Sequence, residues 1–130
     1  MIAGKYEEKV FGGKIFLKLC ETEYILEGRA KRFFFGNEHD MQIAVFRVNG
    51  KWYALDNICP HRHQDKIHEG IIRELAVICP LHGWTYNLRK GENRSKKHGV
   101  KSLKSYEVIA RDGFVYLQKP VFKTAKWKEF

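Results

Sequence analysis

No apolar run in this chain approaches the ~20 residues that a membrane-spanning helix needs. Residues 1–10 are charged and carry no apolar signal segment, so the expectation is a soluble, intracellular protein of the cytoplasm. Cysteine is scarce. Of Cys20, Cys59 and Cys79, the last two stand in short motifs, which leaves no framework of disulfides and fits a reducing compartment. Cys20 by itself reads as a small buried strand residue. Sustained 3.6-residue periodicity is missing; only residues 21–26 suggest a helical turn. Repeats, linkers and low-complexity segments are absent too. Acidic residues are outnumbered, 15 against 24 Lys and Arg, for a net charge of +9. Such a surface attracts acidic partners and adds non-specific affinity for nucleic acid. Neither an RNA-binding aromatic motif nor a paired C-x2-C is present to make that affinity specific.

What is present is mostly β pattern. With 130 residues, 44% hydrophobic and 14% aromatic, one domain is expected, able to bury roughly 65–70% of its unfolded surface. Strand candidates are residues 14–18, 32–35, 42–48, 51–55, 74–78, 84–88, 106–110 and 114–117. Asn49-Gly50 between two of them predicts a hairpin, because both turn positions need positive φ. Arg111-Asp112-Gly113 predicts another.

Two cysteine–histidine pairs carry the chemistry: Cys59-Pro60-His61 and Cys79-Pro80-Leu81-His82, or C-x-H-x17-C-x2-H. Structural zinc sites favour pairs of like ligands, C-x2-4-C and H-x3-5-H. Each half here offers one thiolate and one imidazole. That suits a [2Fe–2S] cluster with Cys59 and Cys79 on one iron and His61 and His82 on the other. A zinc knot of the same four residues is the competing reading. Both pairs fall at strand ends, where Pro60 and Pro80 stiffen the loops and Gly83 allows close backbone approach.

Residues 57–91 resemble a Rieske [2Fe–2S] domain. The matching residues are Cys59, His61, Gly70, Cys79, Pro80, His82, Gly83 and Trp84, then Tyr86, Asn87, Leu88 and Gly91. The second loop is similar to those of soluble Rieske ferredoxins, oxygenase Rieske domains and the small subunit of NADH-dependent nitrite reductases. Weaker likeness runs over about residues 15–117. The resemblance implies an all-β fold: an antiparallel sandwich or barrel base with a small cluster-binding subdomain formed by two loops. It implies one domain over 1–130, with a core at about 15–118 and a basic, aromatic tail at 119–130. It also implies one [2Fe–2S] cluster per chain, with His61 and His82 near the surface as the electron's exit.

High-potential members of the family carry Ser where this chain has Trp84. They also carry a disulfide between positions that are Gln64 and Leu81 here. Their absence implies a potential at the low end of the Rieske range, about −150 mV, and argues against quinol oxidation. Arg62 resembles the Arg of oxygenase-type domains. His63 replaces the family's usual Gly or Ala and reads as solvent-facing. His39, His68 and His98 read as surface residues. The basic run 89–97 is a solvated turn or a docking patch.

The expected function is therefore a one-electron carrier rather than an enzyme. This Rieske-type ferredoxin would pass electrons from a flavin-dependent reductase to a terminal oxygenase or reductase, docking through acidic surfaces on those partners. The alternative is a small Rieske subunit of a larger complex, such as NADH-dependent nitrite reductase. The resemblance leaves no sequence for the mononuclear iron site of an oxygenase. Specific nucleic-acid binding and membrane association are not expected.

Overall fold

The computed structural model of the protein describes residues 6–36, 41–58, 65–80, 83–94 and 102–121. The strands are β1 (Glu7–Phe11), β2 (Lys14–Glu21), β3 (Arg29–Phe34), β4 (Gln42–Val48), β5 (Lys51–Asp56), β6 (Ile71–Arg73), β7 (Ala76–Ile78), β8 (Thr85–Asn87), β9 (Ser105–Tyr106), β10 (Val108–Arg111) and β11 (Phe114–Gln118). They form three sheets, ordered β1-β2-β11-β10, β3-β4-β5-β9 and β6-β7-β8. Every strand pairing is antiparallel. Short 3₁₀ turns cover Thr22–Tyr24 and Ile67–Glu69. Among the described residues, no helix is long and apolar enough to cross a membrane.

The middle sheet explains the layering. β4 reads Gln-Ile-Ala-Val-Phe-Arg-Val and is almost wholly buried. A strand buried on one face alternates apolar with polar; a continuous apolar run marks one covered on both. Ile43 and Val45 join Ile25, Phe33, Ala54, Val115 and Leu117 in one core, against the first sheet. Ala44, Phe46 and Val48 join Leu55, Ile67, Val77, Cys79, Tyr86 and Leu88 in a second core, against the third sheet. Each large apolar side chain so buried contributes about 1.5–3 kcal/mol. The candidate centre grows out of the second core.

Both predicted hairpins form. Asn49 and Gly50 have φ of 54° and 73°, and Asp112 and Gly113 have 54° and 83°. The N–H groups of Gly50 and Asn49 donate to the Glu27 carboxylate, which holds its pKa below the usual carboxylate value. The predicted helical turn is the 3₁₀ turn Thr22–Tyr24, whose carbonyl end is capped by Arg47: its Nη1 donates to Thr22 O and Ile25 O.

Three expectations are corrected. Residues 74–78 are not one strand: Glu74 and Leu75 have φ of 50° and 60° and turn the chain between β6 and β7. β6 gave no strong signal because it is only three residues long. Residues 106–110 are two strands in two sheets. Tyr106 pairs with Ala54, while Val108 pairs with Leu117, so the chain crosses a sandwich corner at Glu107. A strand absent from the expectation, β1, precedes residue 14. Its charged, exposed sequence hides it, although Gly12-Gly13 is a hairpin signal.

Candidate metal centre

The first cysteine–histidine segment leaves the end of β5. Asp56 is fixed there by the Tyr106 hydroxyl, which donates to its Oδ1 at 2.6 Å, and by its own N–H, which donates to Lys104 O at 3.0 Å. Burial and the Asp56 charge both push the Tyr106 pKa up. Asn57 follows, fully buried. Its backbone N–H donates to Gln42 O. Its side-chain Nδ2 donates to Gln42 Oε1 at 2.7 Å and to Asp65 O at 3.1 Å. Its Oδ1 accepts the His68 N–H at 2.7 Å and lies 3.1 Å from His68 Nδ1. One amide therefore joins the entry of the first segment, its exit and the next 3₁₀ turn. The exit is held a second time, because the Asp65 carboxylate pairs with Arg32 on β3.

The second segment leaves the end of β7. Cys79 is fully buried and packs in the second core. Its N–H donates to Trp84 O at 2.8 Å, and its carbonyl accepts from Gly83 N at 2.9 Å. Two backbone bonds therefore tie the flanks of the second segment to each other. Gly83, at φ 72°, takes the left-handed conformation that a bulkier residue resists. β8 then carries Tyr86 into the core, and Asn87 Oδ1 accepts the N–H groups of Arg89 and Lys90.

Gly70 packs the turn that follows the first segment against β7. A Cβ on it would lie 2.5 Å from Ile78 O and 2.5 Å from Val77 Cγ2. Backbone just after the first segment thus rests directly on the strand that leads into the second. Only glycine permits this approach.

Of the four predicted ligands, Cys79 is described. Cys59, His61 and His82 lie outside the described residues, as do Arg62, His63, Gln64, Leu81, His39, His98 and residues 95–97 and 122–130. Among the described residues no cluster of three or more His, Cys, Asp or Glu gathers as a metal site. Cys20 lies on β2, partly buried against the first core, with its thiol pushed up to about 11, chiefly by burial. His68 is not a surface residue. Its side chain is 15% exposed, with Nδ1 3.1 Å from Asn57 Oδ1. Burial and then the Arg32 charge lower its pKa; Glu69 and Asp65 pull the other way without prevailing. Sequence reasoning missed Gln42, Asn57, Asp65 and Arg32 as supports of the site. The one available signal was Asn57 standing two residues before a predicted ligand.

Residues 15–107 match the family model of the Rieske [2Fe–2S] domain. The chain is 31% identical over 102 residues to the ferredoxin subunit of a 3-phenylpropionate/cinnamic acid dioxygenase from Photorhabdus laumondii, covering 78% of this chain and 91% of that one. It is 32% identical over 104 residues to an NAD(P)H nitrite reductase from Emericella nidulans, covering 68% of this chain and 9% of that protein. Among solved structures, a complex of oxygenase and ferredoxin in carbazole 1,9a-dioxygenase aligns with TM-score 0.68 and 28% identity, covering 78% of this chain and 99% of the matched one. The Sphingomonas yanoikuyae B1 ferredoxin aligns with TM-score 0.68 and 24% identity, over 80% and 98%. With the antiparallel fold in common, this chain belongs to the Rieske [2Fe–2S] domain family, as a carrier of electrons on the ferredoxin pattern rather than a catalyst.

Proposed function

We propose that Cys59, His61, Cys79 and His82 hold one [2Fe–2S] cluster per chain, with both cysteines on one iron and both imidazoles on the other. The observation that supports this reading is the backbone contact at Gly70, which packs the turn following the first Cys–His segment against β7, the strand that leads to Cys79. The donor set fits the group: Cys79 is buried at a turn closed by backbone hydrogen bonds, where a thiolate is shielded from water. Such a cluster supplies one reversible electron on the imidazole-bound iron, at a potential above that of all-cysteine ferredoxins. The protein's part is to fix the two segments, exclude water from the cysteine side and keep the imidazole side open to partners. Trp84, standing where high-potential members carry Ser, supports a potential near the low end of the Rieske range, about −150 mV.

Residues 1–130 act as one unit in this reading, with a core at about 15–118 and a tail at 119–130. It accepts electrons from a flavin-dependent reductase and delivers them to a terminal oxygenase or reductase in the cytoplasm. The net charge of +9 favours acidic docking surfaces on those partners. The likeness to a ferredoxin seen in complex with its oxygenase supports this role. A second reading, a small subunit of a nitrite-reductase-like complex, draws on the 32% identity to the Emericella nidulans enzyme. Stable copurification with a large flavin or haem subunit favours that reading; a free protein that a separate reductase reduces favours the carrier.

The decisive experiment is EPR of the reduced, anaerobically purified protein, with iron and inorganic sulfide quantified. Two irons and two sulfides per chain, with a Rieske-type signal, are expected. His82→Ala should abolish or cripple the signal because a ligand is lost. An unchanged visible spectrum in that variant, or zinc without sulfide in the parent protein, overturns the ligand assignment.

A further inference from the structure

We infer that Asn57 is a positioning residue for the electron-transfer centre: its side chain, buried between β4 and the 3₁₀ turn Ile67–Glu69, ties together the two flanks, Asn57 and Asp65, between which Cys59 and His61 stand in the sequence. The inference rests on the ligand reading above.

A loop that must hold a metal centre in one geometry through a change of charge has to resist rearrangement. Loop backbone is normally the least constrained part of a domain. Here the side chain of the residue that opens the segment makes four polar contacts, each with a different donor or acceptor atom. Nδ2 uses both of its hydrogens, on Gln42 Oε1 and Asp65 O. Oδ1 accepts the His68 backbone N–H and lies 3.1 Å from the ring Nδ1, which donates to it in the tautomer protonated there. The amide is saturated, and its orientation is fixed because oxygen and nitrogen face partners of opposite type.

The bond from Nδ2 to Asp65 O closes the mouth of the loop, and the bond to Gln42 ties that mouth to the strand buried on both faces. Asn57 and Gln42 are both fully buried, so water is not available to replace a lost partner and each broken bond carries a full desolvation cost. Bonds of this kind orient ligands and tune the metal without touching it. A residue chosen only to pack this position would need no polar atoms; a saturated amide spanning entry, exit and framework is what positioning requires.

The test compares three variants of the full-length, cluster-loaded protein. Asn57→Ala removes all four side-chain contacts without adding charge. It should still assemble the cluster but release iron to a chelator about tenfold faster, since buried partners are left unpaired. Its EPR g values and midpoint potential should both shift from the parent's. Val115→Ala trims the other core and serves as the control for general destabilisation; its g values and potential should stay at the parent's. If Asn57→Ala does not fold, Gln42→Leu carries the test: it removes one of the four contacts' partners and should shift the same readouts in the same direction by less.

Parent-like g values, potential and iron release in a folded Asn57→Ala (or, in its place, Gln42→Leu) overturn the positioning role. So does an equal shift in Val115→Ala. A parent protein that binds no iron and sulfide instead overturns the ligand reading, and this inference with it, so the two failures are told apart.

Discussion

An imidazole whose ring is largely covered, and whose Nδ1 meets a buried amide oxygen, does not titrate like a surface histidine. His68 is such a residue. Its pKa lies below the ordinary value of 6.5, through burial first and the Arg32 charge second, with Lys66 adding to the effect and Glu69 and Asp65 opposing it. A lowered histidine pKa means that the unfolded chain binds the proton more readily than the folded one. Stability from the neutral ring is therefore complete above about pH 6.5 and is lost as the pH falls from there through the folded value. Melting temperatures at pH 7.5 and 5.5 should show a drop on acidification that is smaller in His68→Gln. An equal drop in both proteins would show that His68 does not link pH to stability.

At the level of elements, the third sheet is the interesting one. β6, β7 and β8 are each three residues long, too short to be stable alone. They hold because Val77, Tyr86 and Leu88 bury against β4 and β5, and because the 3₁₀ turn Ile67–Glu69 seats its following glycine on β7. Gly70→Ala should therefore force β7 and the turn apart. The cost expected of such overpacking is about 1–3 kcal/mol, read as a lower melting temperature together with faster release of iron to a chelator. Loss of thermal stability with unaltered iron release would separate the Gly70 contact from the metal centre. Legibility in the sequence was uneven at this scale. The hairpins at Asn49-Gly50 and Asp112-Gly113 were readable because their turns demand left-handed residues. The turn at Glu74-Leu75 was not, because neither residue favours the left-handed backbone it adopts.

For the whole molecule, charge sets how partners are met. An excess of +9 favours encounter with any acidic partner, and salt weakens that attraction. Lys96 and Lys97, in the basic run that follows the second segment, are the local candidates. Reversing both to Glu should leave the visible spectrum intact and slow reduction severalfold at low ionic strength, with the difference shrinking as salt is added. Stopped-flow reduction across a salt series measures this; identical rates at every ionic strength would remove these lysines from docking.

The sequence by itself pointed to the chemistry. Two mixed Cys–His pairs suit a cluster better than zinc, and that signal is readable because ligand type and spacing are local properties, carried by a few neighbouring residues. The all-β class was equally legible, since alternation and turn chemistry act over a handful of positions. Only the tertiary structure decided how the two segments are held. Gln42, Asn57, Asp65 and His68 are scattered along the chain, and no local pattern distinguishes an asparagine that will be buried and saturated from one on a loop surface. The same holds for Gly70, whose need to lack a side chain comes from Val77 and Ile78 across the fold. Contacts between residues far apart in sequence depend on packing, and packing is settled only when the sheets assemble.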